Sequence, residues 1–315
     1  MLSLEGKVIY YNIRNSSALG IPTLTRPSFF HSLLRGLPLK KLFFLTRHYL
    51  ICFTLLLPIS AQALQISFWN GNKTPSRQLY EKQVLQAALS AAGVKTSIDI
   101  DERKLSISEE ASVFSKQLFD VFATVQGNPK LNTENKILIA KPIMQGLLGQ
   151  RLLIIRKTDL ARFSAIKQND EMKKMRSGIP TGWADVALFK ANQYHTIELG
   201  DFETIFHYLV NNDFDYLALG ANEIEQVYQQ ANLEKLDLTI APTLMLRYNF
   251  PVVYYVNPNN PELAKHLNTG LELIIKNGTL KVMFDQHFGH LYNRLHLSDR
   301  TSFELKNPLI KSKIN

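Results

Sequence analysis

The stretch SGIPTGWADVALFKANQ, Ser177 to Gln193, sets Thr181, Gly182 and Trp183 between an apolar approach and a helix-like pattern. Such a turn leaves backbone amides pointing outward, where water, a phosphate or another solute can meet them. Elsewhere the reactive residue types lack the spacing that chemistry needs. The chain has no G-x-S-x-G, no P-loop, no G-x-G-x-x-G and no H-E-x-x-H. His287 and His290 are three apart and share a helix face, but no third ligand stands at a set spacing, so no metal is expected. Glu109 and Glu110 are adjacent and project to different faces of a helix. Basic residues are scattered without interleaved aromatics, which argues against a nucleic-acid partner. The reading is of a non-enzyme with no catalytic residue and no cofactor.

The elements that must position these residues alternate between short apolar runs and amphipathic helices. LQISFW (64–69) reads as a strand and NGNKTP as a turn, and Tyr80, Val84, Ala87, Ala88 and Ala91 then line one helix face. Gly93 ends that helix, and KTSIDI, FDVFATV (119–125) and RLLIIRK (151–157) read as strands. Residues 137–150 carry Pro142, Gly146 and Gly149 and are expected to be extended and irregular. A loop and a short helix are expected up to Arg176, then the helix Trp183–Ala191. Phe202, Ile205, Phe206, Leu209 and Val210 form a second helical stripe; FDYLALG is a strand and ANEIEQVYQQAN a helix. PVVYYVNP (251–258) is a strand, and Pro261 opens a helix with Leu263, Leu267, Leu271 and Ile274 on one face and Gly278 beyond its end. The tail after His296 is polar and expected to fray. The alternation predicts α/β architecture with mostly parallel sheets.

The 315 residues carry a formal charge of +9, with 45% apolar residues, enough for a substantial core. The charge is unevenly spread. Lys7, Arg14, Arg26, Arg35, Lys40, Lys41 and Arg47 precede Leu64 against one acid, Glu5, so the high pI belongs in part to the leader. Lys40, Lys41 and Arg47, an apolar run from Tyr49 to Ile59, and Ala61-Gln62-Ala63 make a signal peptide over 40–63, cleaved after Ala63. The single cysteine, Cys52, lies inside that run, so the exported chain would hold neither a disulfide nor a thiol nucleophile. Residues 1–39 fit no signal design and read as a start assigned too far upstream or, alternatively, as a long n-region.

KPIMQGLLGQRLLIIRK (141–157), the segment 177–224 beginning SGIPTGWADVALF, and the segment 248–289 beginning YNFPVVYYVNP together resemble the type 2 periplasmic solute-binding proteins, in particular extracellular solute-binding protein family 3. The likeness spans roughly residues 64 to 290 and lies in the order of segments more than in any one motif. It implies two α/β lobes with two hinge crossovers: lobe 1 over 64–155, lobe 2 over 156–246, and a return to lobe 1 with a tail over 247–315. The crossings would lie near Ile155–Lys157 and Leu244–Phe250. A monomer in the periplasm would close on a small polar solute by hinge motion, for delivery to an ABC permease. A sensory role on a membrane partner and a dehydratase-like enzyme are the alternatives on the same fold.

The resemblance also implies site residues. Thr181 and Gly182 would sit at a helix N-terminus facing the cleft, where amides favour a carboxylate. Trp69 and Trp183 would offer aromatic plates or cap the core. Gln126 and Gly127 would supply main-chain donors and amide groups, Asn222 would stand in the lobe 2 run, and Arg151 would serve either the cleft or a strand-edge salt bridge. Amino-acid binders of the family place an Arg in a lobe 1 T-x-x-R segment and an Asp after the lobe 2 strand. Here TVQGNPKLNTENKILIAKPI has no Arg, and DYLALGAN offers Gly220 and Asn222. Glu223 could replace the Asp, though a solvated helix surface is its plainer reading.

Overall fold

The computed structural model describes residues 63–310. The expected leader and, apart from Ala63, the expected signal peptide therefore lie outside the described residues. Strand β1 (Leu64–Trp69) leads into helix α1 (Pro75–Ala91), which opens on a proline whose missing N–H would have had no helical partner. The buried face of α1 is Tyr80, Val84, Leu85, Ala88 and Leu89; it is turned from the expected stripe, so Ala91 is exposed. Strand β2 (Thr96–Asp101), helix α2 (Ile107–Glu110), β3 (Val121–Val125) and β4 (Ile137–Ile139) follow.

Next come β5 (Gln150–Arg156), the short helices α3 (Leu160–Ser164) and α4 (Asn169–Lys173), β6 (Ser177–Ile179) and α5 (Ala184–Ala191). Then follow β7 (Thr196–Glu198), α6 (Ile205–Val210), β8 (Tyr216–Gly220), α7 (Ile224–Gln230), β9 (Leu238–Ile240) and β10 (Leu244–Arg247). The chain ends with β11 (Val252–Val256), α8 (Pro261–Lys276), α9 (Thr279–Phe284), α10 (Leu291–Arg294) and β12 (Thr301–Glu304). Helix α8 buries Leu263, Leu267, Leu271 and Ile274 as its periodicity predicts, and Gly278 follows it with φ +82°.

These strands form two sheets, one per lobe. The first has the order β2-β1-β3-β11-β4, the second β12-β10-β5-β8-β6-β7 with β9 also on β5. Both are mixed rather than mostly parallel: β11 runs antiparallel to β3 and β4, and β5 runs antiparallel to β8, β9 and β10. β9 and β10 pair with β5 in turn, Ile240 opposite Ile154 and Leu246 opposite Arg151. Between them lies Ala241-Pro242-Thr243, where proline removes a ladder donor.

Two placements differ from expectation. The whole of β5 belongs to the second sheet, so the first crossing precedes Gln150 instead of falling at Ile155–Lys157. Leu152 to Ile155 are buried on both faces in the middle of that sheet, and such an apolar run carries no mark of which sheet owns it. The return crossing lies between β10 and β11, where Tyr248 N donates to Gly149 O at 3.1 Å. A Cβ at Gly149 would stand 2.0 Å from the Tyr248 carbonyl oxygen, so the two crossings approach closely only because that position is bare. The tail, second, does not fray. β12 pairs in parallel with β10, with Phe303 and Leu305 buried. Among the described residues, no helix is long and apolar enough to cross a membrane.

Candidate functional site

A cleft of about 730 Å³ lies between the two sheets, lined by residues of both lobes, with Leu148, Arg151 and Phe250 contributed by the hinge side. On the lobe 1 wall the loop after β1 and the first turns of α1 bring Lys73, Arg77 and Glu81 together. Lys73 Nζ is 2.5 Å from Glu81 Oε2 and 3.1 Å from Asn70 Oδ1; Arg77 Nε is 2.6 Å from Glu81 Oε1, one helical turn away. Glu81 is fully buried and the Lys73 side chain nearly so, its ammonium over the rings of Phe68 and Phe122. Burial lowers the Lys73 pKa to about 8, against the opposing pull of Glu81. Two cations share one carboxylate here, so the cluster carries a surplus of one positive charge. Among the described residues the terminal nitrogens of Arg77 make no hydrogen bond, and Arg77 lines the cleft. Beside this cluster Lys130 Nζ meets Glu110 Oε2 at 2.8 Å, a balanced pair.

The lobe 2 wall has the reverse composition. Arg151, 2% exposed, is the second residue of β5 and reaches Asp185 in the first turn of α5 (2.6 Å) and Glu223 at the start of α7 (3.3 Å). Its Nε donates to the Tyr248 hydroxyl at 2.7 Å, and that hydroxyl donates to Asp185 Oδ1 at 2.5 Å. Burial opposes the Arg151 charge, but Asp185, Tyr248 and Glu223 outweigh it and hold the guanidinium pKa above its ordinary value. Burial likewise pushes the Tyr248 hydroxyl well up, so it stays a donor. Two carboxylates share one cation, a surplus of one negative charge. Both line the cleft, and the second oxygens, Asp185 Oδ2 and Glu223 Oε2, make no hydrogen bond among the described residues.

The expected site residues divide between these walls and elsewhere. Arg151, Thr181, Gly182, Trp183 and Trp69 line the cleft. Trp69, however, is fully buried, donates Nε1 to Arg103 O at 3.0 Å and packs on Phe122 at 4.6 Å; it caps a satellite core and offers no open plate. The amides at the Thr-Gly-Trp turn are already engaged: Thr181 N by Gly200 O, Gly182 N by Glu198 Oε1 at 3.0 Å, and Trp183 N by Pro180 O. Helix α5 begins only at Ala184, and the anion at its positive end is the protein's own Asp185. Gly182, at φ +76°, instead lets the lobes meet. A Cβ there would stand 3.3 Å from Ile107 Cδ1 of lobe 1. Trp183 stacks on Phe202 at 5.6 Å and 22°, and both face the cleft; Phe202, expected on the buried stripe of α6, is exposed.

Gln126, Gly127 and Asn222 are not brought to the cleft. Gln126 N donates to Pro251 O, and Gly127 N donates to the Tyr255 hydroxyl at 3.1 Å. Asn222 is buried, and its side chain has no hydrogen-bond partner among the described residues. Glu223, by contrast, leaves the solvated surface assigned to it and pairs with Arg151. Sequence reasoning missed Lys73, Arg77, Asp185 and Tyr248. Only the Arg77–Glu81 spacing of four, just inside a Thr-Pro helix start, offered a signal. Of the two histidines considered for a metal, His287 makes a 2.6 Å hydrogen bond to Gln83 and packs on Tyr80.

Contacts across the mouth join the walls. Ser76, next to Arg77, donates through its amide and hydroxyl to Gln226 Oε1 (3.3 and 2.9 Å), close in sequence to Glu223. Lys104 pairs with Glu203 at the rim.

No protein-family model and no curated protein matches the chain. Solved structures do match. An ancestral arginine-binding protein bound to arginine is 15% identical, with TM-score 0.50, over 71% of this chain and 98% of its own. An arginine-specific periplasmic binding protein of Salmonella typhimurium is 13% identical, with TM-score 0.51, over 71% and 99%. A histidine kinase sensor domain with similarity to periplasmic binding proteins is 11% identical, with TM-score 0.50, over 72% and 96%. With the two sheets and the interlobe cleft, these matches give the chain the two-lobed fold of the type 2 periplasmic solute-binding proteins.

Proposed function

We propose that the protein is an exported solute-binding protein that captures a small zwitterionic solute between its lobes, as a monomer, for ABC-type uptake. One observation carries this reading: the facing walls of one cleft hold opposite charge surpluses, each built around a buried carboxylate or guanidinium. Arg77, backed by Lys73, receives the anionic end of the solute. Asp185 and Glu223, held apart by Arg151, receive the cationic end. Trp183 and Phe202 flank the solute from lobe 2, with Thr181 and Gly182 at the closing edge. The proteins of known structure that share the fold include binders of arginine, which is consistent with a dipolar ligand. Transport is the first reading, in keeping with the periplasmic binding protein of Salmonella typhimurium that shares the fold; sensing on a membrane partner is the second, in keeping with the histidine kinase sensor domain that shares it too.

A thermal-shift screen tests the reading, since a ligand that binds only the folded state raises the melting temperature by mass action. The probes are free amino acids, their amides, their N-acetyl forms, polyamines and organic acids. A free amino acid should shift the melting temperature, and capping either pole should abolish the shift. Equal shifts from a polyamine or a dicarboxylate alone would refute the zwitterion.

A further inference from the structure

The tail does more than complete a sheet. Thr301 N donates to Thr243 O and Leu305 N to Arg247 O, both at 2.8 Å, fixing residues 301–305 along β10 in lobe 2. Lys306 then makes a reciprocal pair with the side chain of Asn192, at the end of α5: its amide donates to Oδ1 at 2.8 Å and its carbonyl accepts from Nδ2 at 2.7 Å. Asn307 Nδ2 donates to Asn249 O, inside the return crossing, at 2.8 Å. Leu309 reaches lobe 1. It lies over the Gly127 turn, where a Cβ would stand 2.5 Å from the Leu309 carbonyl oxygen and 3.0 Å from its Cβ. Within nine residues the tail holds lobe 2, the hinge and lobe 1.

We propose that residues 301–310 are a strap that limits how far the cleft opens. Only Asn307 and Pro308 separate the lobe 2 anchor at Lys306 from the lobe 1 anchor at Leu309, and an extended chain spans at most about 3.6 Å per residue. Lobe separation that carries Gly127 away from Asn192 by more than the slack in that segment must break one anchor. Gly127, at φ +78° and bare of a side chain, is what lets Leu309 seat. Helix α5 carries Asp185 in its first turn and Asn192 at its end, so the strap grips the element that builds the lobe 2 wall. A strap of this kind raises the population of the closed arrangement before any solute arrives, and a closed-state population of that kind is a direct factor in apparent affinity.

The test is an interlobe distance measured by pulsed electron paramagnetic resonance. Spin labels go at Ser108→Cys in lobe 1 and Asn211→Cys in lobe 2, both exposed, with Cys52 replaced by Ser. In the ligand-free protein, Leu309→Asp should move the distance distribution to longer values and broaden it, and Asn192→Ala should do so to a smaller extent. Gly127→Ala, which pushes Leu309 off its seat, should resemble Leu309→Asp. If Leu309→Asp fails to fold, judged by circular dichroism, the Asn192→Ala distribution decides alone. Folded variants whose distributions superimpose on the parent would overturn the strap.

Discussion

The two charged clusters on the cleft walls are near mirror images in composition and unlike in construction. On lobe 1 a single buried carboxylate, Glu81, holds two cations, one of which, Lys73, can shed its proton within reach of ordinary pH. On lobe 2 a single buried guanidinium, Arg151, holds two carboxylates and cannot shed its charge. The lobe 1 cluster is local: its three members lie within nine residues around one helix start. The lobe 2 cluster joins a hinge-side strand, two helices and Tyr248 of the return crossing. The difference teaches that equal and opposite surpluses need not be equally robust. The long-range cluster is part of the fold, and the local one is an attachment to it.

Removing the central member of each cluster should separate the two most sharply. Arg151→Met leaves the buried Asp185 and the partly buried Glu223 without a counter-ion, and breaking a buried pair from one side costs about 3–5 kcal/mol. Glu81→Gln leaves Lys73 and Arg77 unpaired, but Lys73 can become neutral, so the loss should be smaller. Urea denaturation measures both. The Glu81→Gln deficit should also depend on pH, shrinking as pH rises past about 8, where Lys73 sheds its proton in the parent. Equal deficits in the two variants would mean that the two clusters are equally robust.

Substitutions that remove a surplus without stranding a charge should affect binding more than folding. Arg77→Met should weaken a zwitterion by roughly tenfold to a hundredfold, the range set by losing a charge-assisted contact of about 1.5–3 kcal/mol, with little change in the urea midpoint. Calorimetric titration with the amino acid found in the thermal screen checks this. Undiminished affinity would return the anionic pole to some other group.

The pH behaviour of Lys73 gives a subtler pair of effects. Its folded pKa of about 8 lies below the ordinary 10.5, so between those values the unfolded chain binds more protons than the folded one. Its contribution therefore makes stability rise with pH across that window and adds nothing to the slope well below 8. Binding should move the other way, since the lobe 1 surplus fades as Lys73 is neutralised. Affinity for the zwitterion should begin to decline at about pH 8 in the parent, and only at higher pH, where the solute loses its own ammonium proton, in Lys73→Met.

Much of the fold was legible in the sequence because its elements obey local rules. Helix α8 shows its face in a plain 3.6-residue period, and β11 shows itself by a run of buried β-branched and aromatic residues. The ownership of β5 and the docking of the tail were not legible, because each depends on strand pairing between residues almost a hundred or more than fifty positions apart. The same reasoning divides the site. Thr181, Gly182 and Trp183 could be placed at the cleft through the family resemblance, but the occupants of their amides could not, since Glu198 and Gly200 come from β7 and the turn after it. Arg151, Asp185 and Glu223 meet only through tertiary structure, which is why Glu223 read as a surface residue.

The smallest expected effect concerns the rim. Lys104 and Glu203 pair across the mouth with side chains 75% and 66% exposed. An ion pair so exposed is screened by salt and must immobilise two long side chains, and such pairs contribute about 0–1 kcal/mol. Lys104→Ala should therefore leave the urea midpoint and the solute affinity close to those of the parent at 0.15 M salt, in contrast to any change within the two buried clusters. A large loss of affinity in Lys104→Ala, persisting at high salt, would move the decisive electrostatics from the buried walls to the rim and undo the contrast between the two lobes.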